Sequence, residues 1–193
     1  MQLSDVCRVD SGFSVRERLE PSSHGMLALQ QGCVTADGVL DASAILRIEP
    51  RSGHSQYVVK PGDVLLRSRG TSVSAWAVDN ALQEPAIAIL PLYILRPATD
   101  ILDAAYLAWL LMRPAAQAHF ARESVGSNLQ MIRKPAIASL PIELPPLNVQ
   151  IPIASTALLA AQELTLITQL ATLRRDLLTL RLDARANPDR NTK

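Results

Sequence analysis

A long C-terminal segment without glycine constrains the fold of this chain more than any other feature. Between residues 151 and 186 the only proline is Pro152. Leucines recur there every seven residues, and a second set of positions alternates with them at spacings of three and four, which is typical of a coiled-coil seam. The two sets are Leu159, Leu166, Leu173 and Leu180, and Thr156, Glu163, Leu170, Leu177 and Ala184. A helix with such a stripe cannot bury it alone and needs a partner helix.

We therefore predict a dimerisation helix over residues 148–186, followed by a disordered tail over residues 187–193. The pairing contacts are expected at Leu159, Leu166, Leu170, Leu173, Leu177 and Leu180. The alternative is a helix that folds back onto its own domain. The prolines between residues 141 and 147 favour a stiff exit from the preceding domain, and hence pairing with another helix.

An apolar run at residues 64–66 changes abruptly to a basic, hydroxyl-rich run. The apolar run indicates a buried strand and follows turn residues at positions 61–63. The polar run holds Arg67, Ser68, Arg69, Gly70, Thr71 and Ser72. Guanidinium groups pair bidentately with phosphate or guanine, and hydroxyls add short contacts, so this run is a candidate DNA contact. The alternative is a solvated loop with two ordinary surface arginines.

A second polar run lies at residues 124–134. Asn and Gln side chains suit adenine edges, and Arg and Lys side chains suit guanine or phosphate. The candidate DNA contacts in this run are Ser127, Asn128, Gln130, Arg133 and Lys134. The alternative is a surface loop in which Gly126 merely ends a helix.

Residues 60–70 begin an ordered series of motifs and spell Lys-Pro-Gly-Asp-Val-Leu-Leu-Arg-Ser-Arg-Gly. The later motifs are a Leu-Arg-Pro strand end, a helix, a glycine after it and a proline-containing segment. They occupy residues 92–97, 106–111, 126–127 and 140–147 with Gln150. This series resembles the target recognition domain and following helix of specificity (S) subunits from type I restriction–modification systems. The resemblance covers most of residues 1–186.

The resemblance implies an α+β fold. A globular target recognition domain over residues 1–147, with a small twisted mixed sheet and short helices, is expected to precede the long coiled-coil helix. The chain is then expected to recognise a DNA sequence without catalysing a reaction, and to direct methyltransferase and nuclease subunits to a bipartite DNA site. The loop of residues 13–25, with Arg16 and Arg18, is expected near the DNA.

S subunits of this family usually carry two recognition domains and two helices, whereas this chain has one of each. It therefore resembles a half-subunit, expected to act as a homodimer, with a split pair and a truncated copy left open. The expected partners are double-stranded DNA, methyltransferase subunits and, in the full complex, the restriction subunit, and no cofactor is expected. The alternative function is a scaffold or antirestriction decoy that binds the methyltransferase without recognising specific DNA.

Composition limits these hypotheses. Of the 193 residues, 48% are hydrophobic, which allows a packed core, and the net charge is +1. Residues 1–147 carry 13 Lys and Arg against 14 Asp and Glu, so a DNA-binding surface must be a local patch. We find no Walker-type loop, dinucleotide-binding fingerprint, His-Glu-x-x-His or Gly-x-Ser-x-Gly motif, and no amino-methyltransferase motif. An enzyme is therefore not expected.

Cysteine usage and the apolar runs predict the compartment. Cys7 and Cys33 are expected as two buried thiols rather than a disulfide. The three histidines show no metal-ligand spacing. The N-terminus lacks a signal-peptide pattern, and no apolar run is expected to approach the ~20 residues of a membrane span. A soluble cytoplasmic protein is therefore predicted.

Local patterns predict the remaining elements. Strands are expected at residues 26–30 and 44–48, and two more between residues 85 and 95, separated at Pro91 because proline cannot donate to a ladder. Asp100 or Asp103 is expected to cap the next helix.

The helix after that cap is expected to place Tyr106, Leu107, Leu110 and Leu111 in the core. Pro114 is expected to kink or restart this helix. Pro135 is expected at the first position of a short helix over residues 136–140. Pro152 is expected to delay the start of the long helix.

Overall fold

A computed structural model describes residues 1–15, 20–49, 53–70, 73–80, 82–124 and 130–186. The chain divides into two compact units, Met1–Ala154 and Ser155–Lys193. The strands are β1 (Cys7–Ser11), β2 (Met26–Leu29), β3 (Leu46–Ile48), β4 (Val58–Val59), β5 (Val64–Arg67), β6 (Arg69–Gly70), β7 (Ser74–Ala77), β8 (Ala86–Ala88), β9 (Leu92–Pro97) and β10 (Gln130–Met131). The α-helices are α1 (Ala104–Met112), α2 (Pro114–Glu123), α3 (Lys134–Ala138) and α4 (Leu147–Ala186).

The first sheet is antiparallel, and its strand order is β1-β9-β5-β7. Along β5, Val64 and Leu66 pack in one apolar cluster with residues of α1, α2 and α3, whereas Leu65 packs in another with Trp76 and Ile94. Both faces of this strand are therefore covered, which explains why residues 64–66 are apolar at every position rather than alternating.

The second sheet has the strand order β3-β2-β8-β4. β2 runs parallel to β8, and the other two pairs are antiparallel, so this sheet is the predicted mixed sheet. The predicted strands at residues 26–30 and 85–95 are confirmed, with β8 and β9 on either side of Pro91. The strand predicted at residues 44–48 is shorter, because a 3-10 turn occupies Ala42–Ala44.

The short helices cover the outer face of the first sheet. Asp103 caps α1, since its carboxylate accepts a 2.8 Å hydrogen bond from the Tyr106 amide. Tyr106, Leu107 and Leu111 are buried, and Leu110 packs against the same core while partly exposed. The chain restarts at Pro114 as a separate helix, α2, which is one of the two outcomes predicted for that proline.

Two predictions about helix starts are wrong. α3 begins at Lys134 and ends at Ala138, so Pro135 occupies the second helical position rather than the first. α4 begins at Leu147, and Pro152 does not delay it. The Pro146 carbonyl accepts hydrogen bonds from the amides of Val149 and Gln150, so the first turn forms before the proline is reached. Pro152 then cannot donate a backbone hydrogen bond to the Asn148 carbonyl, but the helix continues through it.

The side chain of Gln150 anchors the first turn of α4. Its oxygen accepts a 2.9 Å hydrogen bond from the Asp103 amide, and its nitrogen donates to the carbonyls of Ile101 and Pro145 at 2.8 Å each. Gln150 is fully buried. Burying an amide is favourable only when its donors and acceptor are satisfied, and here they are.

Further along α4, the large apolar side chains are exposed. The exposed leucines include all six predicted pairing residues, Leu159, Leu166, Leu170, Leu173, Leu177 and Leu180. Within the described residues, α4 is also the one helix long and apolar enough to cross a membrane by length and composition alone. The expectation that no apolar run approaches that length is therefore wrong. Alanine and leucine in a pairing helix raise the hydropathy in the same way as a membrane span.

Candidate nucleic-acid interface

Two polar segments that are distant in sequence meet in a short antiparallel ribbon. β6 pairs with β10, with Arg69 opposite Met131 and Gly70 opposite Gln130. The ribbon continues into the fold, because the Ile132 amide donates a 2.9 Å hydrogen bond to the Ser68 carbonyl. Residues 68–70 and 130–132 therefore form one structural unit.

Because the two strands of the ribbon are antiparallel, the chain leaves β6 after Gly70 and enters β10 before Gln130 at the same end. Gly70 has a φ of 145°, a conformation that favours glycine over residues with a side chain. Several predicted DNA contacts lie outside the described residues, namely Arg16, Arg18, Thr71, Ser72, Ser127 and Asn128. For Gln130 only the backbone is described.

Arg67 and Ser68 are tied into the fold. Arg67 is half-buried, and its Nη1 donates a 3.3 Å hydrogen bond to the Val34 carbonyl. Its Nε is buried without a hydrogen-bond partner among the described residues, as is the hydroxyl of Ser74, which lies opposite Arg67 in the sheet. The Ser68 side chain is buried and donates a 2.6 Å hydrogen bond to the Pro91 carbonyl. A DNA contact by this hydroxyl would have to replace that bond.

Arg69, Arg133 and Lys134 are exposed, in contrast to their neighbours. Within the described parts of the chain, none of the three forms an ion pair, whereas Arg8, Arg47, Arg96 and Arg175 do. An exposed cation without an acidic partner is available to bind phosphate, since its charge is not already neutralised. Among the exposed cations without an ion pair in the described residues, these three lie in the ribbon or directly after it and are its candidate phosphate contacts.

Tyr93 lies close to the Arg133–Lys134 backbone. Burial raises the pKa of the Tyr93 phenol above its usual value, while a hydrogen bond with the Lys134 backbone and the charge of Arg133 act in the opposite direction. Tyr93 lies on β9, directly opposite Leu66 of β5. The second segment is therefore attached to the same sheet as the first.

Two acidic side chains, Asp10 and Asp63, meet Arg96 at the other end of β5. Arg96 contacts Asp10 at 2.6 Å and Asp63 at 3.4 Å, and the carboxylate of Asp63 also accepts a 2.9 Å hydrogen bond from the Lys60 amide. Burial raises the pKa of Asp63, and the Lys60 hydrogen bond and the Arg96 charge partly oppose this. The Gly-Asp and Leu-Arg-Pro motifs thus contact each other, and their charged residues have a structural role.

No sequence pattern indicated the role of Gln117 on α2. Its side-chain oxygen accepts a 3.1 Å hydrogen bond from the Val73 amide, and its nitrogen donates to the carbonyls of Val73 and Leu111 at 3.0 and 2.9 Å. Val73 leads into β7 and lies three residues after Gly70. The role of such a glutamine becomes evident only from the tertiary structure, which shows the backbone groups that its side chain hydrogen-bonds.

Elsewhere, the described part of the domain contains a cavity but no candidate metal site. A cavity of about 450 Å³ is lined by Tyr106, Trp109, Arg113 and Glu143 among other residues, with the guanidinium of Arg113 4.7 Å from the centre of the Trp109 ring. Across the described ranges, no group of three or more His, Cys, Asp and Glu side chains could hold a metal ion.

The chain is similar in structure to three solved proteins. The HsdS subunit from Thermoanaerobacter tengcongensis matches with a TM-score of 0.55 and 23% identity over 91% of this chain and 38% of that chain. The S subunit of a type I restriction–modification system from M. genitalium matches with a TM-score of 0.59 and 15% identity, over 98% and 46% of the two chains. The fold is that of a type I S subunit.

A third S-subunit-like match comes from a study of complex assembly and conformational transition in a type I restriction–modification system. Its TM-score is 0.57 and its identity is 21%, over 100% of this chain and 45% of that chain. This chain therefore spans less than half the length of each of these three solved chains. No family model and no curated protein matches the sequence.

Proposed function

We propose that the chain is a non-catalytic, half-sized specificity subunit of a type I restriction–modification enzyme. Its recognition domain, residues 1–147, binds a specific sequence in double-stranded DNA and directs methyltransferase subunits to it. The observation that carries this proposal is the β6–β10 ribbon, which joins two polar segments predicted separately as DNA contacts. The S-subunit fold supports the same assignment.

In this proposal, the exposed side chains of Arg69, Arg133 and Lys134 contact the DNA backbone or guanine edges. Thr71, Ser72, Ser127, Asn128 and Gln130, together with Arg16 and Arg18, remain predicted contacts. The domain has almost no net charge, so its binding depends on a local group of cations that form no ion pair among the described residues. Such a local patch is enough for phosphate contacts, which act over about 8–10 Å at physiological salt.

The exposed seam of α4 supports a homodimer. Its 40 residues make a helix of about 60 Å at about 1.5 Å per residue. Leu166, Leu170, Leu173, Leu177 and Leu180 continue the seam to the last two turns. Two copies paired antiparallel would supply two recognition domains and two helices. A soluble, cytoplasmic complex follows from this proposal, because the apolar surface of α4 would be covered by protein.

A second row of exposed apolar residues supports the methyltransferase as a further partner. Leu164, Ile167 and Leu178 lie beside the seam rather than in it. One partner helix covers a single a/d seam, so these residues would stay exposed in a two-helix coiled coil. Docked methyltransferase subunits would cover them, and the restriction subunit would join in the full complex.

Selection from random DNA duplexes tests the proposal. We expect the chain, mixed with a type I methyltransferase subunit, to enrich two half-sites in an inverted repeat, because a symmetric dimer presents each domain in the same way. A complex that forms with the methyltransferase but enriches no sequence would contradict specific recognition. It would instead favour the scaffold or decoy function.

A further inference from the structure

Gln117 connects three parts of the domain with a single side chain. It forms hydrogen bonds with both the amide and the carbonyl of Val73, and with the Leu111 carbonyl near the end of α1. A side-chain amide is needed for this, since it offers an acceptor and two donors. Val73 is buried among apolar residues, so water does not readily replace these bonds.

The same helix leads to the second polar segment. α2 carries Gln117 and ends at Glu123, and β10 of the ribbon begins at Gln130. The first segment is therefore bounded by Gly70 and Val73. Gly70 pairs with Gln130, and Val73 is hydrogen-bonded to Gln117 of α2. Each polar segment is thus attached at both ends to elements that flank the other one.

We propose that Gln117 is a positioning residue for DNA recognition, which couples the β6 and β10 segments so that Arg69 and Arg133 are placed as one unit. This proposal rests on the proposed function, in which these cations contact DNA. Gln117 itself does not touch the DNA. Its loss would let the two segments shift independently, so discrimination between bases would fall further than the affinity for DNA of any sequence.

Gln117→Glu tests the coupling because the substitution keeps the length and shape of the side chain but removes its two donors. Gln150→Glu is a matched control, since Gln150 also accepts one backbone hydrogen bond and donates two, but its partners Asp103, Ile101 and Pro145 border neither polar segment. Gln117→Met provides a second variant of similar length without hydrogen bonds. All three variants are made in the full chain. Their DNA binding is compared with that of wild type, in each case with the methyltransferase subunit present.

We expect the two Gln117 variants to lose about tenfold in the ratio of specific to random DNA binding, with random-duplex affinity within about twofold of wild type. Gln150→Glu should leave that ratio unchanged. We also measure the fold-losses of specific DNA affinity caused by Arg69→Ala and Arg133→Ala, alone and together. These losses should be non-multiplicative in wild type and multiplicative in the Gln117→Glu background. An unchanged ratio in both Gln117 variants would overturn the proposal. So would loss of folding in both while Gln150→Glu folds, because the role would then be purely structural.

Amide hydrogen exchange separates this proposal from the proposed function. In the free protein, Gln117→Glu should speed exchange at Met131 and Ile132 as well as at Val73, although Gln117 bonds only the last of these. Faster exchange at Val73 alone would overturn the coupling even if wild type recognises DNA. Faster exchange at all three positions in a protein that selects no DNA sequence would retain the coupling and reject the proposed function.

Discussion

Arg69 and Arg67 are two positions apart but lie in different environments. Arg69 is exposed and unpaired within the described residues, whereas Arg67 is half-buried and bonded to the Val34 carbonyl. Substitution of Arg67 therefore disturbs the fold as well as any DNA contact. Arg69 is the better residue for testing DNA binding at this position.

We predict that Arg69→Ala weakens specific DNA binding. If Arg69 bridges a guanine, the loss should be about 1–3 kcal/mol with one base position relaxed. If it binds phosphate, all sequences should weaken alike and the salt slope should fall by about one. Titration of labelled duplexes at several salt concentrations measures both. Arg113→Ala is the control, because Arg113 precedes the first turn of α2 and lies outside the ribbon. Equal DNA binding by wild type and Arg69→Ala would refute the contact.

Ser68 and Ser74 form a matched pair of buried hydroxyls. Ser68 donates to the Pro91 carbonyl, while Ser74 has no hydrogen-bond partner within the described residues. Ser68→Ala should therefore lower the free energy of unfolding by about 1 kcal/mol, and Ser74→Ala should leave it unchanged or raise it by up to about 1 kcal/mol. Urea denaturation of the two variants gives the comparison, and equal losses would show that the Ser74 hydroxyl does have a partner.

Cys7 and Cys33 are free and buried, as predicted. Burial raises the pKa of the Cys7 thiol from 9.0 to about 12, and it also raises the pKa of Cys33. Since the folded pKa of Cys7 exceeds the unfolded value, its contribution to stability is complete below pH 9 and is lost as the pH rises toward 12.

We predict that iodoacetamide labels both thiols of the native protein at pH 8 at least about tenfold more slowly than in the urea-unfolded chain, because the thiolate is the reactive species. Mass spectrometry counts the labels. The Cys33→Ser variant reports on Cys7 alone, and rapid native labelling of that variant would contradict the burial of Cys7.

At the scale of elements, α4 exposes more large apolar side chains than any other described element. We predict that Leu170→Glu combined with Leu177→Glu yields monomers, since two carboxylates would be buried in the seam of the dimer. Thr172→Glu with Thr179→Glu is the control, because these positions have the same spacing but lie off the seam. Light scattering and circular dichroism measure mass and folding. A leucine variant that remains dimeric would show that α4 does not pair through this seam.

The strands and short helices of the first unit have a different basis. Their core is built from both faces of the first sheet, and the buried apolar residues of all three clusters lie between Leu3 and Ala154. A core of this kind does not depend on the rest of α4. The first unit, Met1–Ala154, should therefore fold without the rest of α4.

At the scale of the whole molecule, we predict that a chain ending at Ala154 folds as a monomer and binds a single half-site. The bipartite site should be lost, because one domain contacts one half-site. Sedimentation gives the mass, and binding to single and paired half-sites gives the specificity. A full-length chain that is already monomeric at tens of micromolar, without partner subunits, would instead favour a split pair whose second half is another chain.

Local sequence determined much of this architecture. The turn at Gly62, with a φ of 92°, follows from its Pro-Gly-Asp sequence, and the cap at Asp103 follows from the N-terminal preference for Asp. The helical structure of α4 and its stripe of leucines follow from the leucine repeat in its sequence. In each case the decisive interactions lie within a few residues, so the sequence contains the whole signal.

Only the tertiary structure decided how the candidate site is assembled. The pairing of Gly70 with Gln130, the contact of Asp63 with Arg96 and the bonds from Gln117 to Val73 all join segments that are distant in sequence. Hydrogen bonds of this kind depend on where the packed core places the backbone, and no local propensity encodes that position. The residue types that could contact DNA were therefore visible in the sequence, whereas the ribbon that joins them was not.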